Sequence, residues 1–237
     1  MTTGRAYFDE LLHSLDGYGL RKDWGRSLDF GCGVGRVTIP IAKRSASTVG
    51  VDVSRGMLFE AKRNLIRAGV STASLVQASD HLCLKNEGFD FVHSCIVLQH
   101  IHPSRGLRVL GQLASCLRGG GVGAVQLTYR DPLTGPQRLR YLLYQHVPYL
   151  WSTKEATLRV LSRGTATRPS GRNHGRGDGP ERRMQARPLI RMHNYDVGAA
   201  LDVLRASGCH KIGLRFTDHA GFAGVILLFS KTEQRPL

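Results

Sequence analysis

Along the first 130 residues, short apolar runs alternate with stretches in which apolar residues recur every three or four positions. That pattern predicts strands alternating with helices, and hence a parallel sheet covered on both faces. Ser27–Phe30 closes a first apolar run, and a glycine-rich loop then leads into a helix over 36–44. Thr48–Asp52 reads as the second strand. Ser54 is placed to cap the next helix, whose Met57, Leu58, Ala61, Leu65 and Ala68 share one face until Gly69 stops it. Ala73–Gln77 is the third strand, and Phe89–Leu98 is long and apolar enough for a central one. Pro103 opens a helix bearing Leu107, Leu110, Leu113, Ala114 and Leu117, which the Gly119–Gly121 run should end before a fifth strand at Val122–Thr128.

The alternation then breaks. Residues 137–161 look helical and insertion-like, and 165–179 are so rich in Gly, Arg, Pro and Ser that a mobile loop is expected. Order should resume near Met192 with a helix over 195–206 and two strand-like runs, Lys211–Phe216 and Phe222–Phe229, pairing as a hairpin. The expected organisation is a core over 1–130, an insertion over 131–191, and a C-terminal helix and hairpin over 192–237 that complete the core.

Composition narrows the class. A chain of 237 residues with 41% hydrophobic and 22% charged residues is that of a globular protein with a core of its own. The net charge of +15 would suit a nucleic-acid partner if it covered one folded face. Between Arg159 and Arg191, however, nine arginines face only Asp178 and Glu181, so nearly half of the excess sits in one short segment. The five cysteines, Cys32, Cys83, Cys95, Cys116 and Cys209, form no C-x-x-C pair, which suggests reduced thiols, no zinc site and a cytoplasmic setting. No stretch approaches the roughly 18 apolar residues of a membrane span.

The chemistry starts at Asp29-Phe-Gly31-Cys-Gly33-Val-Gly35, a glycine loop at a strand-to-helix junction, where backbone amides can approach a nucleotide-like ligand. The dinucleotide fingerprint G-x-G-x-x-G fails here, because Arg36 stands where its third glycine belongs. Asp29 would repel a pyrophosphate but suits the α-ammonium of a methionine moiety, which argues for S-adenosylmethionine. Asp52, ending the second strand, can accept from both ribose hydroxyls, and Asp80, after the third, from an adenine amine. Three carboxylates that follow successive parallel strands would meet at the carboxyl edge of the sheet, where open α/β folds bind ligands.

On Leu28–Arg36, Gly50-Val-Asp52-Val53-Ser54, Phe89-Asp90 and Leu117-Arg-Gly-Gly-Gly121, the sequence resembles the class I S-adenosylmethionine-dependent methyltransferases. The resemblance implies a Rossmann-like α/β sheet of seven strands with helices on both faces and a C-terminal antiparallel hairpin. It also implies that Asp29, Gly31, Gly33 and Gly35 hold the methionine part, Asp52 the ribose, Met57 the adenine face, Asp80 the adenine, and backbone near Cys95 the sulfonium side, with Val53 also at the cofactor. Val97–Pro103 and Thr217–Gly221 look like a bacterial subgroup associated with glycans and natural products. A small-molecule or glycan hydroxyl is therefore the expected acceptor; an RNA methyltransferase and a non-catalytic binding subunit are the alternatives. His100, after the fourth strand, is the candidate general base, because a free imidazole titrates near pH 6.5. His102, Tyr129, His193, Tyr195 and His219 rank behind it. Tyr141, Tyr144, Tyr149 and Trp151 in the insertion permit stacking on a sugar ring.

Overall fold

The computed structural model describes residues 4–20, 23–78, 88–131, 192–219 and 221–233. They belong to one compact unit, Met1–Asp131 with Ile190–Leu237. The expected insertion, its aromatic residues, the Arg/Gly-rich segment and Asp80 lie outside the described residues, except for Asp131.

The elements in chain order are α1 (Gly4–Gly17), β1 (Trp24–Phe30), α2 (Thr38–Ala42), β2 (Ser45–Asp52), α3 (Arg55–Arg67), β3 (Ala73–Gln77) and β4 (Phe89–Ser94). There follow a 3-10 turn (Leu98–His100), α4 (Pro103–Ser115), β5 (Leu117–Arg130), α5 (Val197–Ala206), β6 (Cys209–His219) and β7 (Phe222–Lys231). The strands form one seven-stranded sheet in the order β3-β2-β1-β4-β5-β7-β6. The first five are parallel, whereas β7 runs antiparallel to both β5 and β6. This is the seven-stranded Rossmann-like sheet with a C-terminal antiparallel hairpin that the resemblance implies.

Alternation along the central strands sorts side chains to two cores, which is why these strands read as continuous apolar runs. Val125 and Leu127 of β5 and Val225, Leu227 and Phe229 of β7 pack with Leu110 and Leu113 of α4 and Ala200 and Leu204 of α5. Val122 and Ala124, with Ile226 and Leu228, face the other way onto Phe8, Leu11 and Leu15 of α1 and Ile41 of α2. Trp24 and Phe91 stack there with ring centroids 3.8 Å apart.

Several boundaries differ from expectation. The chain enters α4 at Pro103 as read, but the helix ends at Ser115, and Gly119–Gly121 lie inside β5. Phe89 donates its N–H to Cys116 O, and the β4–β5 register shifts between Phe89 and Phe91. The glycines absorb that shift: Gly120 has φ +73°, and a Cβ on Gly121 would lie 2.8 Å from Phe89 O. β4 stops at Ser94 rather than Leu98. Ser54 caps α3 as expected, its Oγ accepting from Met57 N at 3.3 Å, and Asp196 caps α5 by accepting from Ala199 N. The N-terminal helix α1 was not anticipated, although Phe8, Leu11 and Leu15 carry its spacing.

At the amino ends of the strands, Asp90 accepts from Gly25 N (3.0 Å) and Arg26 N (2.8 Å) and pairs with Arg118. Burial would raise its pKa, but the two amide donors and the Arg118 guanidinium outweigh that and hold it below the ordinary value. Asp90 is thus a tie between β1, β4 and β5 on the edge opposite the glycine loop.

Candidate active site

The glycine loop folds back on β2. Gly31 N and Cys32 N both donate to Val51 O (2.7 and 2.9 Å), Gly35 N to Cys32 O (2.9 Å), and Gly33 N to Asp52 Oδ2 (2.9 Å). These four amides therefore serve the loop itself, and its glycines supply conformation and space. Gly31 (φ +75°) admits no side chain, since a Cβ would come within 2.1 Å of Val97 Cγ2. Gly33 (φ +54°) is open: a Cβ there would meet nothing within 4 Å. A ligand can approach the loop backbone closely at that point.

Asp52 is half-buried at the end of β2 and also takes Ser54 N on Oδ1 at 2.8 Å. Each of its oxygens keeps a second acceptor direction. Val53 beyond it is 74% exposed, and Met57 on the first turn of α3 is 47% exposed. Met57 is therefore not a core side chain of α3, whose buried residues are Ala61 and Leu65.

Asp29 is buried beneath the loop, with Thr38 Oγ1 on Oδ2 (2.6 Å) and His93 Nδ1 on Oδ1 (2.8 Å). On the far side of the imidazole, His93 Nε2 lies 3.1 Å from the Tyr7 hydroxyl of α1. Cys32 sits near both Asp29 and Asp52; burial first, and then these two carboxylates, push its thiol up to about 12. It is not a nucleophile.

Past β4, Ile96 has φ +60°, a strained conformation for a β-branched residue. Its N–H donates to Gln126 Oε1 of β5 at 2.7 Å, and the Cys95 thiol reaches the same oxygen at 3.6 Å. Burial pushes Cys95 up to about 11, so it stays a thiol. Thr128 Oγ1 donates to Gln99 Oε1 (2.8 Å). The buried Tyr195 hydroxyl reaches the carbonyls of Leu98 (2.7 Å) and Ile101 (2.8 Å). Burial raises Tyr195 to about 12, so it is a clamp for this loop and not a base.

His100 ends the 3-10 turn, exposed, with Nε2 3.4 Å from Gln99 Nε2. The His102 ring stands edge-on to His193 at 5.5 Å, and His102 Nδ1 lies 3.0 Å from Ser104 Oγ. Tyr129 packs edge-on against Phe216. Asp29, Asp52 and His100 thus all lie at the carboxyl ends of β1, β2 and β4. His93, Tyr7, Gln99 and Gln126 belong to the same edge and were not anticipated. Their signal was polarity inside apolar strand patterns, at His93 in Phe89–Leu98 and Gln126 in Val122–Thr128.

Residues 28–121 match the model of a methyltransferase domain family. That match covers less than half of the chain. The ubiquinone biosynthesis O-methyltransferase of Chelativorans sp. (strain BNC1) is 33% identical over 76 residues, covering 32% of this chain and 30% of that protein. The chain spans less than half the length of such relatives. Among solved structures, magnesium protoporphyrin IX methyltransferase from Synechocystis PCC 6803 with bound SAH aligns with TM-score 0.61 at 17% identity, covering 97% of this chain and 84% of that one. A S-adenosylmethionine-dependent methyltransferase from Methanosarcina mazei gives TM-score 0.60 at 18% identity, covering 93% and 98%. The fold is that of the class I S-adenosylmethionine-dependent methyltransferases. The glycine loop, Asp52 and the β4 edge all fall in the matched residues. Among the described residues there is no cluster of His, Cys, Asp and Glu suited to a metal, and no helix long and apolar enough to cross a membrane.

Proposed function

We propose that this chain transfers the methyl group of S-adenosylmethionine to a hydroxyl of a small acceptor such as a sugar, lipo-oligosaccharide or secondary metabolite. The observation that carries the cofactor assignment is the open face of Gly33 beside an Asp52 that still has acceptor capacity on both oxygens. The ribose belongs at Asp52 and Val53, the adenine beside Met57, and the α-ammonium toward the negative charge of Asp29. When bound, the cofactor supplies an electrophilic methyl on a sulfonium. The chain's own part is to align the acceptor and take its proton.

His100 is the base in this reading. Its ring lies beside the Gln99 amide, which Thr128 fixes in turn. A hydroxyl acceptor agrees with relatives named as O-methyltransferases of ubiquinone biosynthesis. Acceptor choice is assigned to residues 131–191, which follow β5. An RNA acceptor draws its support from the basic charge, nearly half of whose excess lies between Arg159 and Arg191, outside the described residues.

Calorimetry tests the cofactor assignment: S-adenosylmethionine and S-adenosylhomocysteine should bind and NAD should not. Binding of NAD alone would overturn it. Transfer of labelled methyl to the small-molecule fraction of a cell extract, rather than to its RNA, tests the acceptor class.

A further inference from the structure

Asp29 and His93 are direct cross-strand partners in the parallel β1–β4 register, so their side chains leave the sheet together on the face covered by α1. His93 is 1% exposed, and both of its ring nitrogens have partners: Asp29 Oδ1 at 2.8 Å and the Tyr7 hydroxyl at 3.1 Å. Tyr7 also stands edge-on to the ring, with centroids 5.8 Å apart. The start of α1 is pressed onto the end of the glycine loop, where a Cβ on Gly4 would lie 2.2 Å from Arg36 O. The N-terminal helix therefore meets the cofactor loop twice, once through backbone packing and once through the string Tyr7–His93–Asp29–Thr38.

The protons along this string follow from its ends. The Tyr7 hydroxyl, kept protonated by burial, lies against Nε2 and also neighbours the Cys95 thiol. A carboxylate only accepts, so Nδ1 carries a proton facing Asp29 Oδ1, while Thr38 donates to Oδ2. One donor on each oxygen holds the Asp29 carboxylate in a single orientation. Had His93 been an apolar residue like its neighbour Val92, Asp29 would keep only Thr38 and would be free to rotate about its side-chain torsions.

We propose that His93 is a positioning residue for cofactor recognition, aiming the Asp29 carboxylate at the amino-acid end of S-adenosylmethionine, with Tyr7 of α1 fixing the imidazole. The inference rests on the cofactor assignment above and extends it to residues in the core of β4 and on the N-terminal helix.

The test compares two ligands by calorimetry: S-adenosylhomocysteine, and 5′-methylthioadenosine, which keeps the adenosine and thioether but lacks the amino-acid end. His93→Phe should weaken S-adenosylhomocysteine by about tenfold or more while 5′-methylthioadenosine stays within about twofold, because only the former meets Asp29. His93→Asn, whose amide nitrogen falls near the position of Nδ1, should recover most of the lost affinity. Tyr7→Phe should show the same selectivity at about threefold. Melting temperatures accompany each titration, and if His93→Phe fails to fold, Tyr7→Phe and His93→Asn carry the test. Equal losses on both ligands, or none on S-adenosylhomocysteine, overturn the proposal. Failure of the wild-type chain to bind either ligand overturns the cofactor assignment itself, and the proposal falls with it.

Discussion

The two halves of the sheet's carboxyl edge are built by different means. On the half proposed for the cofactor, the contacts are mostly short in sequence: Gly33 with Asp52, Ser54 with Asp52, Ser54 with Met57. On the half proposed for the acceptor, the 3-10 turn over 98–100 is closed locally but anchored from far away, Ile96 by Gln126, Gln99 by Thr128, and the carbonyls of Leu98 and Ile101 by Tyr195. The cofactor half is a local motif, and the acceptor half is a loop fastened by β5 and by the segment before α5. A common cofactor needs the same few groups at the same spacing, whereas a loop anchored at a distance can be reshaped by exchanging its anchors. The two halves touch where Val97 fills the space that the missing side chain of Gly31 leaves.

Substitutions can separate these halves. The largest effect is expected at His100: His100→Ala should lower turnover about 10²- to 10⁴-fold while leaving S-adenosylmethionine affinity unchanged, as general-base loss does. Single-turnover kinetics and calorimetry on the same sample check both parts. Loss of cofactor affinity would instead make His100 an organiser of the loop. On the other half, Asp52→Ala should weaken cofactor binding by about 1.5 to 3 kcal/mol, because it removes charge-assisted hydrogen bonds to the ribose. Unchanged affinity would sink that assignment.

A smaller effect belongs to the anchors. Tyr195→Phe leaves the ring in place but frees two carbonyls, one of them buried, and should cost about 1 to 2 kcal/mol of stability by denaturant melts. KM for the acceptor should rise while cofactor affinity holds; an equal loss on both substrates would contradict the division of the edge. The smallest effect lies on the opposite edge, where Asp90→Asn should cost about 1 kcal/mol, since Arg118 is itself 44% exposed and screened by solvent. The folded pKa of Asp90 is lowered. Its contribution is therefore complete above the unfolded value near about pH 4 and disappears as acid carries the pH through the lower folded value. The stability gap between wild type and variant should close over that range, with no change in cofactor affinity at neutral pH.

Much of the cofactor half was legible in the sequence because its signals are local. The spacing of Asp29, Gly31, Gly33 and Asp52, the cap at Ser54 and the apolar face of α3 all lie within one βαβ unit, where periodicity and turn chemistry are enough to place them. His100 was likewise placed by its position just after an apolar run. Other features depend on which strand lies beside which. The pairing of Asp29 with His93 requires β1 next to β4, 64 residues away in sequence, and the hold of Gln126 on Ile96 requires the register of β4 on β5. The glycines at 119–121 looked like a helix stop, and only the shifted β4–β5 ladder shows them as part of a bulged strand. By itself the sequence determined the alternating architecture, the glycine loop and the placing of Asp29 and Asp52 at the strand ends, because each follows from neighbours a few residues apart. The tertiary structure alone decided that the loop amides turn inward, that Tyr195 is a clamp, and that α1 reaches Asp29 through His93. Strand order and register set those contacts, and neither is written in any local stretch of the chain.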